Sequence, residues 1–242
     1  MFSIPFLLAM ESSATTNIIN VKDFPKFTSD QKASVFEKAA QAISKSQVVA
    51  VPTDTLYGVG CSLWDESAIK NIYSLKNRSY TKPLAICIGS TEVIGHFCKV
   101  NHISQNIIDY FLPGPYTLIL PLSENIPKFF NPGLKTVGIR VVPNEFLCQL
   151  CKHLSTPSKP FALALTSANK SGFPSSISVS EFEDLHSQLG VVFDGGDLDK
   201  QRLGSTIIDL SSEEDKSYKI LRPGPTVDQA RKFLSENEFK EV

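Results

Sequence analysis

The chain has 242 residues, of which 42% are hydrophobic and 20% charged, a balance that supplies a sizeable core and excludes a disordered or collagen-like chain. Lys and Arg number 24 against 25 Asp and Glu, a formal net charge of −1. No overall basic field therefore draws the chain to nucleic acid or an anionic membrane, and a polyanion has to be gripped locally.

Residues 2–10 are apolar, but no basic residue precedes them. They also fall far short of the roughly 20 residues that span a bilayer, so neither an anchor nor a signal peptide is expected. Met10 offers an alternative start. Residues 11–20 hold Ser and Thr without Arg and include Glu11, which makes a mitochondrial or plastid leader the lesser alternative to a cytoplasmic protein. Five scattered cysteines, an odd number, fit a reducing compartment better than a disulfide framework. Residues 1–28 read as a flexible N-terminal segment, 29–236 as one domain and 237–242 as a tail.

A helix capped by Ser29 or Asp30 carries Ala33, Phe36, Ala40 and Ile43 at helical spacing. The short β-branched run 48–51 follows, suited to a strand buried on both faces and ended by Pro52. Asp65 caps a helix with Ile69, Ile72, Tyr73 and Leu75 inward, leading to an apolar strand over 84–88. Helices over 91–98 and 104–111, strands over 117–120 and 137–142, and a helix capped by Asn144 come next. Then follow a strand over 161–165, a helix from Ser180 to Gln188, a strand over 191–193 and the turn 194–196. Strands over 206–210 and 218–221 flank a solvated hairpin loop, 211–216, and Thr226 caps a last helix. Alternation at this density predicts an α/β fold: a single-domain, twisted open sheet of mixed strands with helices packed on it.

In open α/β sheets ligands bind beyond the carboxyl ends of strands. The residues there are polar in three places: Pro52-Thr53-Asp54-Thr55-Leu56-Tyr57-Gly58, Thr166-Ser167-Ala168-Asn169 and Arg222-Pro223-Gly224. Such residues also make ordinary turns. Lys76, Arg78 and Lys82 lie within seven residues of one another. With Arg222 they would nearly match the roughly four negative charges of a triphosphate, through bidentate guanidinium and point-charge ammonium contacts. The alternative is that the first two complement the negative end of a helix and Lys82 points to solvent. Neither GxxxxGK[ST] nor GxGxxG after a strand occurs, which disfavours the nucleotide folds that depend on them. Cys148 and Cys151 form a lone CxxC without a second pair, read as structural. His96, His102, His153 and His186 lack metal-hydrolase spacing, and no GxSxG elbow is present.

Seven motifs stand in one order: PTDTLYG, KNRSYTKP, PGPYT, VGIRVVP, TSANKSG, LGSTIID and LRPG. In this the chain resembles the YrdC family of threonylcarbamoyl-AMP synthases over roughly residues 41–226. The resemblance implies a YrdC-like catalytic domain that makes threonylcarbamoyl-adenylate and pyrophosphate from L-threonine, bicarbonate and ATP with Mg2+, toward N6-threonylcarbamoyladenosine in tRNA. It implies threonine contacts for Thr55, Tyr57 and Arg140, and for Ser205 a contact with threonine or its carbamate. It implies nucleotide contacts for Arg78, Lys82, Thr136, Ser167, Asn169, Ser175 and Arg222, with Lys76, Arg78 and Arg140 catalytic and no protein metal site. Hand-off to a tRNA threonylcarbamoyl transferase follows, and a weak RNA contact is compatible. Cys87 stands where some members carry histidine, and the chain resembles the short, single-domain form. The rival expectations are a double-stranded RNA or tRNA-binding module of the same fold, carbamoyl transfer to a protein thiol, and a scaffold without nucleotide affinity. Adenylation itself needs no protein nucleophile, because the substrate carbamate attacks and the enzyme aligns it and neutralises charge.

Overall fold

The structure is a computed structural model, and it describes residues 17–198 and 200–242. In chain order the elements are β1 (Ile18–Asn20), α1 (Ser29–Ser44), β2 (Val49–Pro52), β3 (Tyr57–Ser62), α2 (Glu66–Leu75), β4 (Ala85–Cys87), α3 (Ile94–Phe97) and α4 (Gln105–Phe111). They continue with β5 (Tyr116–Pro121), β6 (Thr136–Arg140), α5 (Glu145–Leu154), β7 (Leu163–Ser167), α6 (Glu183–His186), β8 (Val191–Asp194), β9 (Thr206–Asp209), β10 (Ser217–Arg222), α7 (Val227–Glu236) and β11 (Lys240–Glu241). The strands form one sheet in the order β1-β8-β2-β3-β7-β4-β6-β5-β9-β10-β11. Parallel pairs, such as β4 with β6 and β5 with β9, alternate with antiparallel ones, such as β3 with β7 and β5 with β6. The mixed α/β sheet expected from the sequence is what forms.

Local chemistry sets most boundaries. Asp65 and Asn144 cap α2 and α5, their carboxylate and amide oxygens accepting from the backbone N–H of Ala68 and Leu147 at 3.0 and 3.1 Å. At α1 the cap is Thr28 rather than Ser29 or Asp30: its hydroxyl accepts from Gln31 N while the Gln31 side chain accepts from Thr28 N, a reciprocal capping box. The buried face of α1 accordingly runs through Val35, Phe36, Ala39 and Ala42, one step out of phase with the expected Ala33 and Ala40.

Three strands were not expected. β3 hides in the sequence because Gly58 and Gly60 depress strand propensity. A Cβ at Gly58 would stand 2.8 Å from Leu165 Cδ1, and one at Gly60 3.1 Å from the Ala164 carbonyl, so close pairing with β7 requires them. β1 extends the sheet into the segment expected to be a flexible N-terminal one. Phe24, 1% exposed, then packs on Phe36 and Phe146. β11 pairs in parallel with β10, and Glu241 takes Arg231 in an ion pair at 3.0 Å, so the last residues are more than a tail. Residues 1–16, including the alternative start, lie outside the described residues.

Two apolar layers cover the sheet unequally. α2, α3, α4 and α7 pack on the face that carries Val59, Ile86, Leu118, Leu120, Ile139 and Ile208. α1 and α5 cover the opposite face over β2, β7 and β8, where Val49, Val51, Leu163, Leu165 and Phe193 meet Phe36, Phe146 and Leu150. Side chains alternate across a strand with period two. Thr117 and Ile119 on β5, Thr136, Gly138 and Arg140 on β6, and Ile207 on β9 therefore share this second face, beyond the reach of α1 and α5. Ile119, Thr136 and Ile207 are correspondingly only half-buried. The bare part of the sheet is where the site lies.

Candidate active site

A cavity opens on that face, lined by Thr53, Thr55, Tyr57, Arg78, Ala85, Thr117, Arg140, Ser167, Ser175, Ser205 and Arg222, among others. It joins the carboxyl ends of β2, β6, β7 and β10 to the starts of β3, β4, β5 and β9. Small residues at Gly58, Ala85 and Gly204 keep its floor low.

The turn after β2 is held by Thr53, whose hydroxyl accepts from Thr55 N and Leu56 N at 3.2 and 3.1 Å and donates to Leu56 O at 2.6 Å. This fixes Thr55, buried and lining the cavity, beside Arg140. Arg140 Nη2 donates to Asp54 Oδ1 at 2.7 Å and reaches Thr55 Oγ1 at 3.5 Å. Asp54 Oδ2 and Arg140 Nε are buried without a hydrogen-bond partner. Burial pushes the Asp54 carboxyl up, and the adjacent guanidinium only partly offsets it.

Arg78 donates from Nε to Lys82 O and from Nη2 to Pro83 O, at 3.0 and 2.8 Å, closing its own loop over the start of β4. Arg222 lies along the Ser205 backbone, giving Nε and Nη2 to the Ser205 carbonyl at 3.2 and 2.9 Å and Nη2 to its hydroxyl at 3.1 Å. Burial lowers the pKa of both arginines, and for Arg222 the charge of Arg140 adds to it. Three guanidinium groups thus line one cavity, and among the described residues no carboxylate lines it.

Not every expected residue converges. Lys76 does not line the cavity; it is 1% exposed beneath it. Its Nζ donates to the Ser167 carbonyl, with Ser167 Oγ and Asn169 Oδ1 each at 3.5 Å. Burial, then the charge of Arg78, lowers its pKa to about 7. Asn169 also stands outside the lining and ties the 169–173 loop through bonds to the carbonyls of Lys170 and Phe173, both 2.8 Å. Lys82 is exposed and contributes its carbonyl. Tyr57 lines the cavity, but its hydroxyl turns to the β8 end, donating to Gly196 O at 2.7 Å and accepting from Gly195 N at 2.8 Å. Thr136 opens β6 and lines a neighbouring hollow; with Gly138 bare between them, it shares Arg140's face without sharing its cavity.

Three residues escaped the sequence reading. Asp54 and Thr53 in PTDTLYG and Thr117 in PGPYT sat inside quoted motifs without a role; Thr117 Oγ1 lies 2.7 Å from Ser205 Oγ. Cys87 is buried on β4 in register with Arg140 rather than exposed to the cavity, and burial pushes its thiol up to about 12. All five cysteines are free thiols. Among the described residues no helix is long and apolar enough to cross a membrane.

Comparison with known proteins places this geometry. The Sua5/YciO/YrdC family, described as "telomere recombination", matches residues 41–224. The mouse and human threonylcarbamoyl-AMP synthases are each 40% identical over 215 residues, covering 87% of this chain and 72% of theirs. Pyrococcus abyssi Sua5, in a crystal structure with L-threonine, superposes with a TM-score of 0.74 at 31% identity, covering 94% of this chain and 63% of that one.

Proposed function

The chain belongs to the Sua5/YciO/YrdC family, and we propose that it is a nucleotidyltransferase that condenses L-threonine, bicarbonate and ATP into threonylcarbamoyl-AMP with release of pyrophosphate. The observation that carries this reading is the convergence of Arg78, Arg140 and Arg222 on one hydroxyl-lined cavity. The reaction's components are anionic: a carboxylate, a one-carbon oxyanion and a triphosphate. Preorganised guanidinium groups in a partly water-excluded site hold such charges and stabilise those that develop at the transferring phosphorus. Arg140, oriented by Asp54 and next to Thr55, suits the carboxylate of threonine. Arg78 and Arg222 at the other walls suit the phosphates, with Ser167 and Ser175 on the nucleotide side.

Lys76 takes the role of a positioning residue, holding Ser167 and Asn169 from below. Among the described residues the lining offers hydroxyls and guanidinium groups, which suit the oxygens of the nucleotide rather than a cation. Mg2+ is a companion of the triphosphate and enters with it as part of the substrate. The product is a reactive mixed anhydride, to be passed to a tRNA threonylcarbamoyl transferase. The free thiols support a reducing, cytoplasmic setting. That the curated relatives are named as synthases speaks against the alternative of an RNA-binding module without adenylation.

The test is mass-spectrometric detection of threonylcarbamoyl-adenylate in a purified mixture, together with pyrophosphate release. Both are expected to require threonine and bicarbonate. Pyrophosphate release indifferent to either substrate overturns the assignment.

A further inference from the structure

We propose that Asn131 is a positioning residue: acting through the single peptide plane between Pro83 and Leu84, it aims Arg78 into the cavity. This rests on the synthase reading above and adds to it a residue that stands outside the cavity.

Asn131 lies in the connection from β5 to β6, residues 122–135. Leu122 N donates to Lys135 O at 2.8 Å and closes the base of that connection, while Ile126 and Phe130 sink into the core. Asn131 therefore sits on a firm base. Its φ of +44° lies in the left-handed region, which Asn tolerates better than most residues. The buried side chain faces the residue before β4: Oδ1 accepts from Leu84 N at 3.0 Å and Nδ2 donates to Leu84 O at 2.8 Å. The amide thus imitates the backbone of a neighbouring strand. The ladder of β4 with β7 starts at Ala85, and Asn131 carries the pairing one residue further toward the 78–83 loop.

Covalent geometry links this clamp to the cavity. The N–H of Leu84 and the carbonyl of Pro83 belong to one planar peptide unit. Asn131 Oδ1 takes its N–H, and Arg78 Nη2 donates to its oxygen at 2.8 Å. A tilt of the plane moves the partner of the guanidinium, and bonds on both sides of one amide polarise each other. Proline has no N–H of its own, so every backbone polar group of Pro83 and Leu84 is taken by Arg78 or Asn131. The other carbonyl that Arg78 grips, Lys82 O, is held from α2 by the Tyr73 hydroxyl at 3.3 Å. The fork of Arg78 is thus fixed by two supports, and Asn131 supplies the one at the start of β4. Arg78 and Pro83 line the cavity, whereas Asn131 lines the hollow next to it.

Steady-state kinetics of threonylcarbamoyl-adenylate formation in a double-mutant cycle test the role. Asn131→Gly removes the amide and keeps the backbone conformation. Misplacing a contact by about 1 Å costs up to about 100-fold, so this variant is expected to lower kcat/KM for ATP roughly ten- to a hundredfold, with the KM for threonine within about twofold. On an Arg78→Ala background the same substitution is expected to change kcat/KM for ATP by less than about twofold, because the group it aims is gone. Tryptic cleavage after Arg78 is expected to be faster in Asn131→Gly than in the wild type. Should Asn131→Gly fail to fold by circular dichroism, Asn131→Asp, which sets a carboxylate oxygen against Leu84 O, is read in its place in the same cycle. An equal loss on both backgrounds, no loss on either, or a rise in the KM for threonine matching that for ATP overturns the proposal. A wild-type protein that makes no adenylate instead overturns the synthase reading itself; the clamp is then judged on the cleavage rate alone, and an unchanged rate overturns it.

Discussion

Asp54 Oδ1 accepts a 2.7 Å bond from Arg140 Nη2, with the side chains only 10% and 11% exposed. A carboxylate thus fixes the cation that awaits a substrate carboxylate, and it does so from outside the cavity lining. Asp54→Asn keeps the shape and removes the charge. A hydrogen bond to a charged group contributes about 1.5–3 kcal/mol net, so the KM for threonine is expected to rise roughly tenfold to a hundredfold. The KM for ATP should stay within about twofold. Steady-state kinetics in each substrate check this, and a rise confined to ATP would assign Arg140 to the nucleotide. Asp54→Ala is the poorer probe, because an unpaired buried guanidinium costs about 3–5 kcal/mol of stability. Arg140→Ala is expected to abolish threonine-dependent pyrophosphate release.

Lys76 gives the fold a pH dependence with a definite sign. Its folded pKa is lowered to about 7, chiefly by burial and then by Arg78, from an ordinary 10.5. Between those values the unfolded chain binds the extra proton, so the stability owed to this residue rises with pH from about 7 toward 10. Below that window both states are protonated and the contribution is flat. Urea unfolding across the window is expected to show a steeper rise for the wild type than for Lys76→Met. Equal slopes would mean that the ammonium keeps its ordinary affinity for the proton.

Tyr57 separates the substrate contact implied by the motif from the bonds its hydroxyl makes. That hydroxyl serves Gly196 O and Gly195 N. Tyr57→Phe leaves a buried N–H and C=O without this partner, which is expected to cost about 1–3 kcal/mol in chemical denaturation. The KM for threonine should change by less than about twofold. A large increase without loss of stability would return the hydroxyl to the substrate.

The sequence revealed most where a local rule acts alone. Asp65 and Asn144 cap as their side chains dictate, and the apolar runs at 48–51 and 161–165 lie in or beside buried strands. It failed where a distant partner decides. Gly58 reads as loop and Gly60 falls in no expected element, until Leu165 and Ala164 on β7 show why no side chain fits at either. The cations of the site were legible as types and positions: Arg78, Arg140 and Arg222 do converge. Lys76 and Lys82 carry the same charge in the same motif, yet one is buried under the Ser167 carbonyl and the other is exposed, a difference set by packing. Thr117 closes the PGPYT motif, but no local rule marks its partner, the Ser205 hydroxyl 88 residues away.

Arg78 joins loop geometry to charge, and the two can be separated. Nε and Nη2 close the 78–83 loop through the carbonyls of Lys82 and Pro83, while the group as a whole faces the cavity. Removing one preorganised electrostatic contact costs about 2–4 kcal/mol of transition-state stabilisation, so Arg78→Ala is expected to lower kcat/KM for ATP roughly 30- to 1000-fold. Arg78→Lys restores a charge but not the planar fork that reaches two carbonyls at once. It should recover only a small part of the activity, and the loop should become more susceptible to proteolysis. Threonine affinity, measured by calorimetry without nucleotide, should be unchanged in both variants. If Arg78→Lys were fully active, the loop clip would be irrelevant and charge alone would account for the residue.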